Sequence, residues 1–531
     1  DSGGVYAPTL RRVGGRYVIV CTIARINEEA ARRGGVAEEE LAAAAKAEGN
    51  FAIVADTLEG PWSGPYWIEG AEGIDPDIFE DCDGAVYWTQ TRPALDPQWE
   101  GQTEIWTQRI DPETWTLIND GQAAGDGRTV IWRGYGVDAV WAEGPHLYRI
   151  GDYVYLFTAE GGTSFEHSEM AMRVFAPQGL KAAIETFLAG IAEAGVAIPA
   201  PREGEHCLLG THDRLFHANK KNPILTHRHL GLNEPVQCVG HGDILHHPTL
   251  GWWMVSLGVR ETKGANPGEL LSYLGREPFI APMTWEHNPS SWKLDGGGAP
   301  TLDPGDPGWP VVAPGLGRMP ERMTILDAGT DIAADDPAVR GMTAVADDRR
   351  ARVLIGLNDA GTRAAARPVL DAGRDADLMI RDEAGIRYAR IAEDDILLPV
   401  PDGGTLVIRQ NSTHLVTLCH GLGDGRRPAG VTCIFTEDGV DDTRSYGPLP
   451  EGCTRVAVLM RRNELTVLAY DGTRDVAGLV EETIRGGEPD GCRVMDRHDA
   501  RFLSTEWSGG FVGCLAGVPT GTPISDGETM R

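Results

Sequence analysis

Two carboxylic acids stand in contexts suited to acid–base chemistry. Asp75 lies in Gly73-Ile74-Asp75-Pro76-Asp77-Ile78-Phe79, and Glu143 lies in Ala142-Glu143-Gly144-Pro145-His146-Leu147-Tyr148. Each precedes a turn and an aromatic-rich run by a similar distance. Cleaving a glycosidic bond needs a proton donor of raised pKa and a second carboxylate that activates water or attacks the sugar. Like charges held close together are one way to raise that pKa. The chain has 78 acidic residues, so spacing alone leaves a plainer reading open, in which each acid caps a turn.

The elements that would position these acids are short strands. A Gly or Asp-Gly turn followed by an aromatic strand recurs: Gly14-Gly15-Arg16-Tyr17-Val18, Asp83-Gly84-Ala85-Val86-Tyr87-Trp88, Gly151-Asp152-Tyr153-Val154-Tyr155 and Gly251-Trp252-Trp253-Met254. Turn chemistry and alternation of this kind predict antiparallel hairpins. A repeat of this length holds about four strands and predicts propeller blades. Four copies are visible. An acid at the start of a blade's innermost strand points into the central channel, so Asp75 and Glu143 would converge there from neighbouring blades.

Two stretches break the pattern. Residues 27–49 and 178–197 are rich in Ala and Glu with helical spacing and predict helical insertions in loops, serving as surface elaboration. A Pro/Gly-rich stretch from Gly297 to Gly317 marks a boundary, with Trp309-Pro310-Val311-Val312 closing the first domain. The predicted domains are a propeller over 1–318 and a β-sandwich over 326–531. The latter rests on runs such as Thr405–Arg409 and Arg455–Met460 between Gly/Asp turns. Residues 331–350 are too rich in Ala and Asp to assign.

Composition narrows the function classes. A formal charge of −30 repels phosphate backbones and anionic lipid, which sets nucleic-acid and membrane partners aside but does not penalise a neutral sugar. The nine cysteines show no CxxC pairs, so reduced, buried thiols are expected rather than a zinc site or a disulfide framework. No signal peptide is visible, which favours a cytoplasmic location. No particular oligomeric state is implied.

Several strings occur in a telling order. They are Ser2-Gly3-Gly4-Val5-Tyr6-Ala7-Pro8-Thr9-Leu10, Gly73-Ile74-Asp75-Pro76, Glu143-Gly144-Pro145-His146-Leu147-Tyr148, Ala159-Glu160-Gly161-Gly162-Thr163 and Gly240-His241-Gly242-Asp243. Asn222–Arg228, Leu274-Gly275-Arg276-Glu277, and Arg501–Glu506 with Gly509-Gly510-Phe511 extend the set. Together they resemble glycoside hydrolase family 43, in particular its β-xylosidase and α-L-arabinofuranosidase members.

The resemblance implies an all-β chain, a five-bladed propeller followed by a concanavalin-like β-sandwich, and exo-acting, inverting cleavage. The substrate implied is a xylo-oligosaccharide or arabinoxylan. By motif Glu143 matches the general acid and Asp75 the residue that tunes its pKa and orients it. Arg228 matches an arginine that contacts the sugar, and Tyr6 an aromatic that lines the pocket. No cofactor is required for the chemistry. His241 matches a histidine that in many members binds a structural calcium or its waters. The family's general base lies in a Tyr-Pro-Asp-Pro-type motif that these 531 residues do not contain. The expectation is therefore a chain truncated at its N-terminus, lacking the first blade and the base. Two alternatives stand beside this reading: a propeller that binds sugar without cleaving it, and a glycosidase for another pentose polymer such as arabinan.

Overall fold

Gly14 and Gly15 both take positive φ, +57° and +82°, the two-residue type I′ turn whose twist matches a hairpin. They join strands Val5–Val13 and Arg16–Ile23 in register from Val13 opposite Arg16. The computed structural model describes residues 4–515. Left out are short loop positions and the longer stretches 120–126, 135–140, 194–206, 209–214, 264–269, 357–379, 382–386, 391–395, 422–429, 475–478, 480–490 and 505–510. Residues 1–3, Thr505 and Glu506, Gly509 and Gly510, the end of the second predicted helical insertion and the tail after Leu515 thus lie outside the described residues.

Four antiparallel sheets follow one another along the chain. The first is completed by Asn50–Ala55 and Ser63–Trp67. The second is built on Ile74–Glu80, Val86–Pro93, Thr103–Asp111 and Thr129–Trp132, the third on Glu143–Ile150, Tyr153–Glu160, Ser168–Phe175 and His217–Ala218. The fourth holds Val236–His247, Gly251–Arg260, Arg276–Glu286 and Trp309–Val312. In each, the first strand in sequence lies innermost.

Alternating side chains make these sheets stack face to face. Val18, Val20 and Val54 of the first sheet pack on Ile78, Trp88 and Trp106 of the second. Tyr87, Ile105 and Trp132 of the second meet Leu147, Leu156 and Met172 of the third. Tyr155, Phe157 and Ala171 of the third meet Val239, Met254 and Phe279 of the fourth. Three apolar layers between four successive sheets make a propeller arrangement, in agreement with the four repeats read from the sequence. Helices Glu28–Arg33, Glu38–Lys46 and Leu180–Glu193 lie in loops of the first and third blades. None of the described helices is long and apolar enough to cross a membrane.

Beyond the propeller, strands Arg322–Asp327, Met342–Asp347 and Ala351–Gly356 form a small sheet, so a strand runs across the expected boundary at 326. A seven-stranded and a four-stranded sheet then face each other. Leu406, Val416, Leu418 and Phe435 of the larger pack on Leu398, Val458, Met460 and Leu465 of the smaller, which is a β-sandwich core.

Phe157, fully buried between the third and fourth blades, tests this layering. Phe157→Ala should lower the unfolding free energy by about 3–5 kcal/mol. Urea denaturation monitored by tryptophan fluorescence measures it.

Candidate active site

Every inner strand starts with the same irregularity. The ladder register shifts between Tyr6 and Thr9, Ile74 and Asp77, Glu143 and His146, and Gly240 and Asp243. Within each shift one residue takes positive φ: Ala7 at 34°, Asp75 at 55°, Gly144 at 54° and His241 at 53°. These are β-bulges, which bend a strand and re-aim its side chains. Asp tolerates the left-handed region better than most residues, because its short polar side chain bonds locally. Gly144 is required on two counts. Its backbone is left-handed, and a Cβ there would stand 2.6 Å from the His241 ring.

Two residues past the positive-φ position on the second, third and fourth strands, and four past it on the first, a side chain turns to the axis. Arg11, from the first inner strand, reaches all the others. Its Nε lies 2.9 Å from Asp77 Oδ1, its Nη1 2.8 Å from Asp243 Oδ2, and its Nη2 3.0 Å from His146 Nδ1 and 3.1 Å from the Tyr148 hydroxyl. A guanidinium only donates, so His146 Nδ1 accepts and the ring proton sits on Nε2. Asp77 also accepts the Leu147 N–H at 2.8 Å. Tyr148 donates to Asp243 and accepts the Ile244 N–H at 3.0 Å. Burial disfavours the charge on Arg11, but Asp77 and Asp243 outweigh it and hold the guanidinium protonated. Burial would likewise raise the Asp243 carboxyl, and Arg11 reverses this and holds it below its ordinary range.

The two candidate acids sit at the mouth of this axis, on the second and third inner strands. Asp75 is buried and accepts the backbone N–H of Gly144, the residue that follows Glu143. Burial pushes the Asp75 carboxyl up to about 6, against the opposing pull of that N–H, His146 and Arg276. Burial, then the neighbouring Asp75 charge, pushes Glu143 up to about 8, with Arg276 opposing. Near neutral pH the pair therefore holds its proton on Glu143 and its charge on Asp75.

The other residues singled out in the sequence are placed as follows. Tyr6 precedes its bulge as Glu143 precedes its own, and its ring is 40% exposed at the same rim. Arg228 is 43% exposed and lies 3.9 Å from Glu166 Oε2, and its charge does not figure among those acting on Asp75 or Glu143. The arginine whose charge acts on both acids is Arg276, at the start of a strand in the fourth blade. It lay in a string already noticed, Leu274-Gly275-Arg276-Glu277, without a role attached to it. Trp141, two residues before Glu143, is an exposed aromatic that the sequence reading also missed.

His241 does not fit a calcium site. Its ring is packed against Gly144, where a Cβ would stand 2.6 Å away. The carboxylates a cation would recruit at the axis, Asp77 and Asp243, are already engaged by Arg11. Among the described residues no group of three or more His, Cys, Asp or Glu is arranged to hold a metal ion.

Four stacked blades thus bring Glu143 and Asp75 together on neighbouring inner strands. Residues 1–179 match Glycosyl hydrolases family 43. Over 325 residues the chain is 33% identical to a xylosidase/arabinosidase of Butyrivibrio fibrisolvens, which covers 61% of this chain and 46% of that protein. Over 286 residues it is 29% identical to a non-reducing end alpha-L-arabinofuranosidase of Bacteroides ovatus, covering 54% and 39% respectively. The chain thus spans less than half the length of these relatives. Among solved structures, a xylan beta-1,4-xylosidase from Bacillus halodurans superposes with a TM-score of 0.54 at 18% identity, over 98% of this chain and 85% of that one. A protein from a capybara gut metagenome gives 0.56 at 17%, over 97% and 82%. These likenesses show the same fold, a propeller followed by a sandwich. The similarity to glycosyl hydrolases family 43 thus rests on residues 1–179 and on these relatives.

The axial arrangement makes a thermal prediction. The melting midpoint of the purified chain should be the same in excess EDTA and in excess calcium, and a calcium-dependent rise would contradict the assignment of the axis to Arg11. Arg11→Met, which leaves Asp77 buried without its cation, should cost about 3–5 kcal/mol in the same melts.

Proposed function

We propose that this chain serves an exo-acting, inverting glycoside hydrolase that releases xylose from β-1,4-xylo-oligosaccharides, arabinose from arabinoxylan side chains, or both. The observation that carries this reading is the split in the acid pair. Glu143 has a carboxyl pKa of about 8, and Asp75 beside it has one of about 6. A group that must donate a proton near neutral pH needs that elevation, and burial together with an adjacent carboxylate supplies it. Glu143 gives its proton to the leaving glycosidic oxygen. Asp75, held by the Gly144 N–H, keeps Glu143 protonated and oriented.

Arg276 is the sugar-facing cation in this reading, taking the part that the resemblance gave to Arg228. It tempers both carboxyl pKa values and offers a planar fork of donors to sugar hydroxyls. Tyr6 and Trp141 supply exposed aromatic faces at the rim on which a pentose ring can stack. The names of the relatives, xylosidase/arabinosidase and arabinofuranosidase, support pentose substrates. Inversion also needs a water-activating carboxylate on the opposite face of the sugar, roughly 6.5–9.5 Å from the donor. No residue of this chain is assigned that role.

Aryl β-D-xyloside and aryl α-L-arabinofuranoside hydrolysis tests the proposal, with the product anomer followed by proton NMR. The value of kcat/KM should rise as Asp75 ionises through about 6 and fall as Glu143 loses its proton through about 8. Glu143→Gln should lower it by about 10²–10⁴ and abolish the fall at high pH. Saturable sugar binding with no turnover in the parent chain would favour a carbohydrate-binding propeller instead.

A further inference from the structure

The turn that delivers Arg276 is held from the second domain. Leu271 and Leu274, flanking that turn in the fourth blade, are buried in the same apolar core as Leu398, Val458 and Leu503 of the sandwich. Ser504 Oγ accepts the Ser272 N–H at 2.8 Å and donates to the Ser272 carbonyl at 3.2 Å. Ser272 Oγ in turn accepts the Gly275 N–H at 3.1 Å. This closes a turn whose last residue, Gly275 at φ +65°, passes the chain straight to Arg276. Ser504 is itself fixed. It follows the single helical turn Arg501–Leu503, and its N–H bonds the Arg501 carbonyl at 2.9 Å, while Leu503 N–H bonds that of Ala500 at 2.9 Å.

On the propeller side, Arg276 pairs with Val259, and Val259 pairs with Gln237 on the inner strand that goes on to His241. The turn thus ends where the fourth blade meets the channel mouth. From there its charge acts on Asp75 and Glu143 and on His167 and His241. The remaining charged or titratable groups facing the pair are His146 on Asp75 and the Cys21 thiol, which feels the Asp75 charge. Arg11, Asp77 and Asp243 lie beyond His146 at the axis and engage one another. Arg276 is therefore the cation that acts on both carboxyls from outside the axial network, and the turn before it sets where its backbone enters.

We propose that the β-sandwich positions Arg276 through Ser504, whose two hydrogen bonds to Ser272 fix the turn from which Arg276 enters the acid site. Its effect on rate rests on the glycosidase reading above, whereas its effect on the Glu143 carboxyl rests on geometry and charge alone. Loosening the turn draws the guanidinium away and lets the Glu143 pKa rise, since an opposite charge a few ångströms off favours the ionised form.

The test uses the full chain labelled with carboxyl-¹³C glutamate, with the Glu143 signal assigned by its loss in Glu143→Gln. Its titration is followed by NMR in the parent, Ser504→Thr, Ser504→Ala and Arg276→Gln, and the pH profile of aryl xyloside hydrolysis is measured alongside. Ser504→Thr keeps the hydroxyl and should titrate like the parent. Ser504→Ala should titrate higher by about one unit, and Arg276→Gln by at least as much. A parent-like titration in Ser504→Ala while Arg276→Gln shifts would overturn the proposal, and so would identical titrations in all four proteins. If Ser504→Ala does not fold, Leu274→Ala, which frees the same turn from the sandwich core, is read in the same way. A chain without turnover that still shows the carboxyl shifts would sink the glycosidase reading and leave the positioning role standing.

Discussion

The propeller is organised around one buried cation. Arg11 sits where four inner strands come together and is bonded to groups from the other three: Asp77 on the second, His146 and Tyr148 on the third and Asp243 on the fourth. A charge withdrawn from water must be matched closely or it unfolds its surroundings. Asp77, with no exposed side-chain surface, can be buried only because Arg11 is there. The apolar layers between blades bind neighbours in pairs, and this knot ties first to last across the axis. It also fixes the tautomer of His146, whose Nδ1 accepts from Arg11. The chemistry at the mouth is thus oriented by an ion network one step further in.

Structure and chemistry share a single backbone device. Each bulge sends a side chain to the axis two residues past its positive-φ position on the second, third and fourth strands, and four past it on the first. Arg11, Asp77, His146 and Asp243 are the side chains so delivered, while Tyr6, Asp75 and Glu143 stand beside the bulges. A regular strand would alternate its side chains across the sheet plane and send half of them into the apolar layers between blades. On the second and third strands the bulge so brings acid and axial side chain within three residues of one another, Asp75 with Asp77 and Glu143 with His146.

Much of this was legible in the sequence, for physical reasons. Gly-Gly and Asp-Gly turns announce hairpins because few other residues tolerate their dihedrals, and the four blades follow from them. The helical insertions declared themselves through Ala- and Glu-rich spacing. Asp75 and Glu143 were visible because each begins an aromatic strand. Arg11 was not, because one arginine among 48 basic residues carries no local sign of a partner 232 residues away. The echo among Ala7-Pro8-Thr9, Asp75-Pro76-Asp77 and Gly144-Pro145-His146 would have pointed to the axial ring. Arg228 stood in a matching string and lies 3.9 Å from Glu166, while Arg276, whose charge acts on both acids, follows a turn packed against another domain. Such long-range closure leaves no trace in spacing.

One feature of the acid pair reaches further than its pKa values. The N–H that Asp75 accepts belongs to Gly144, covalently next to Glu143. The link between donor and partner therefore runs through a main-chain amide rather than through two independent side chains. Separating the second blade from the third at this point therefore breaks a main-chain hydrogen bond at the acid pair itself. The geometry of the chemistry is thus sewn into the seam between two blades rather than hung on free side chains.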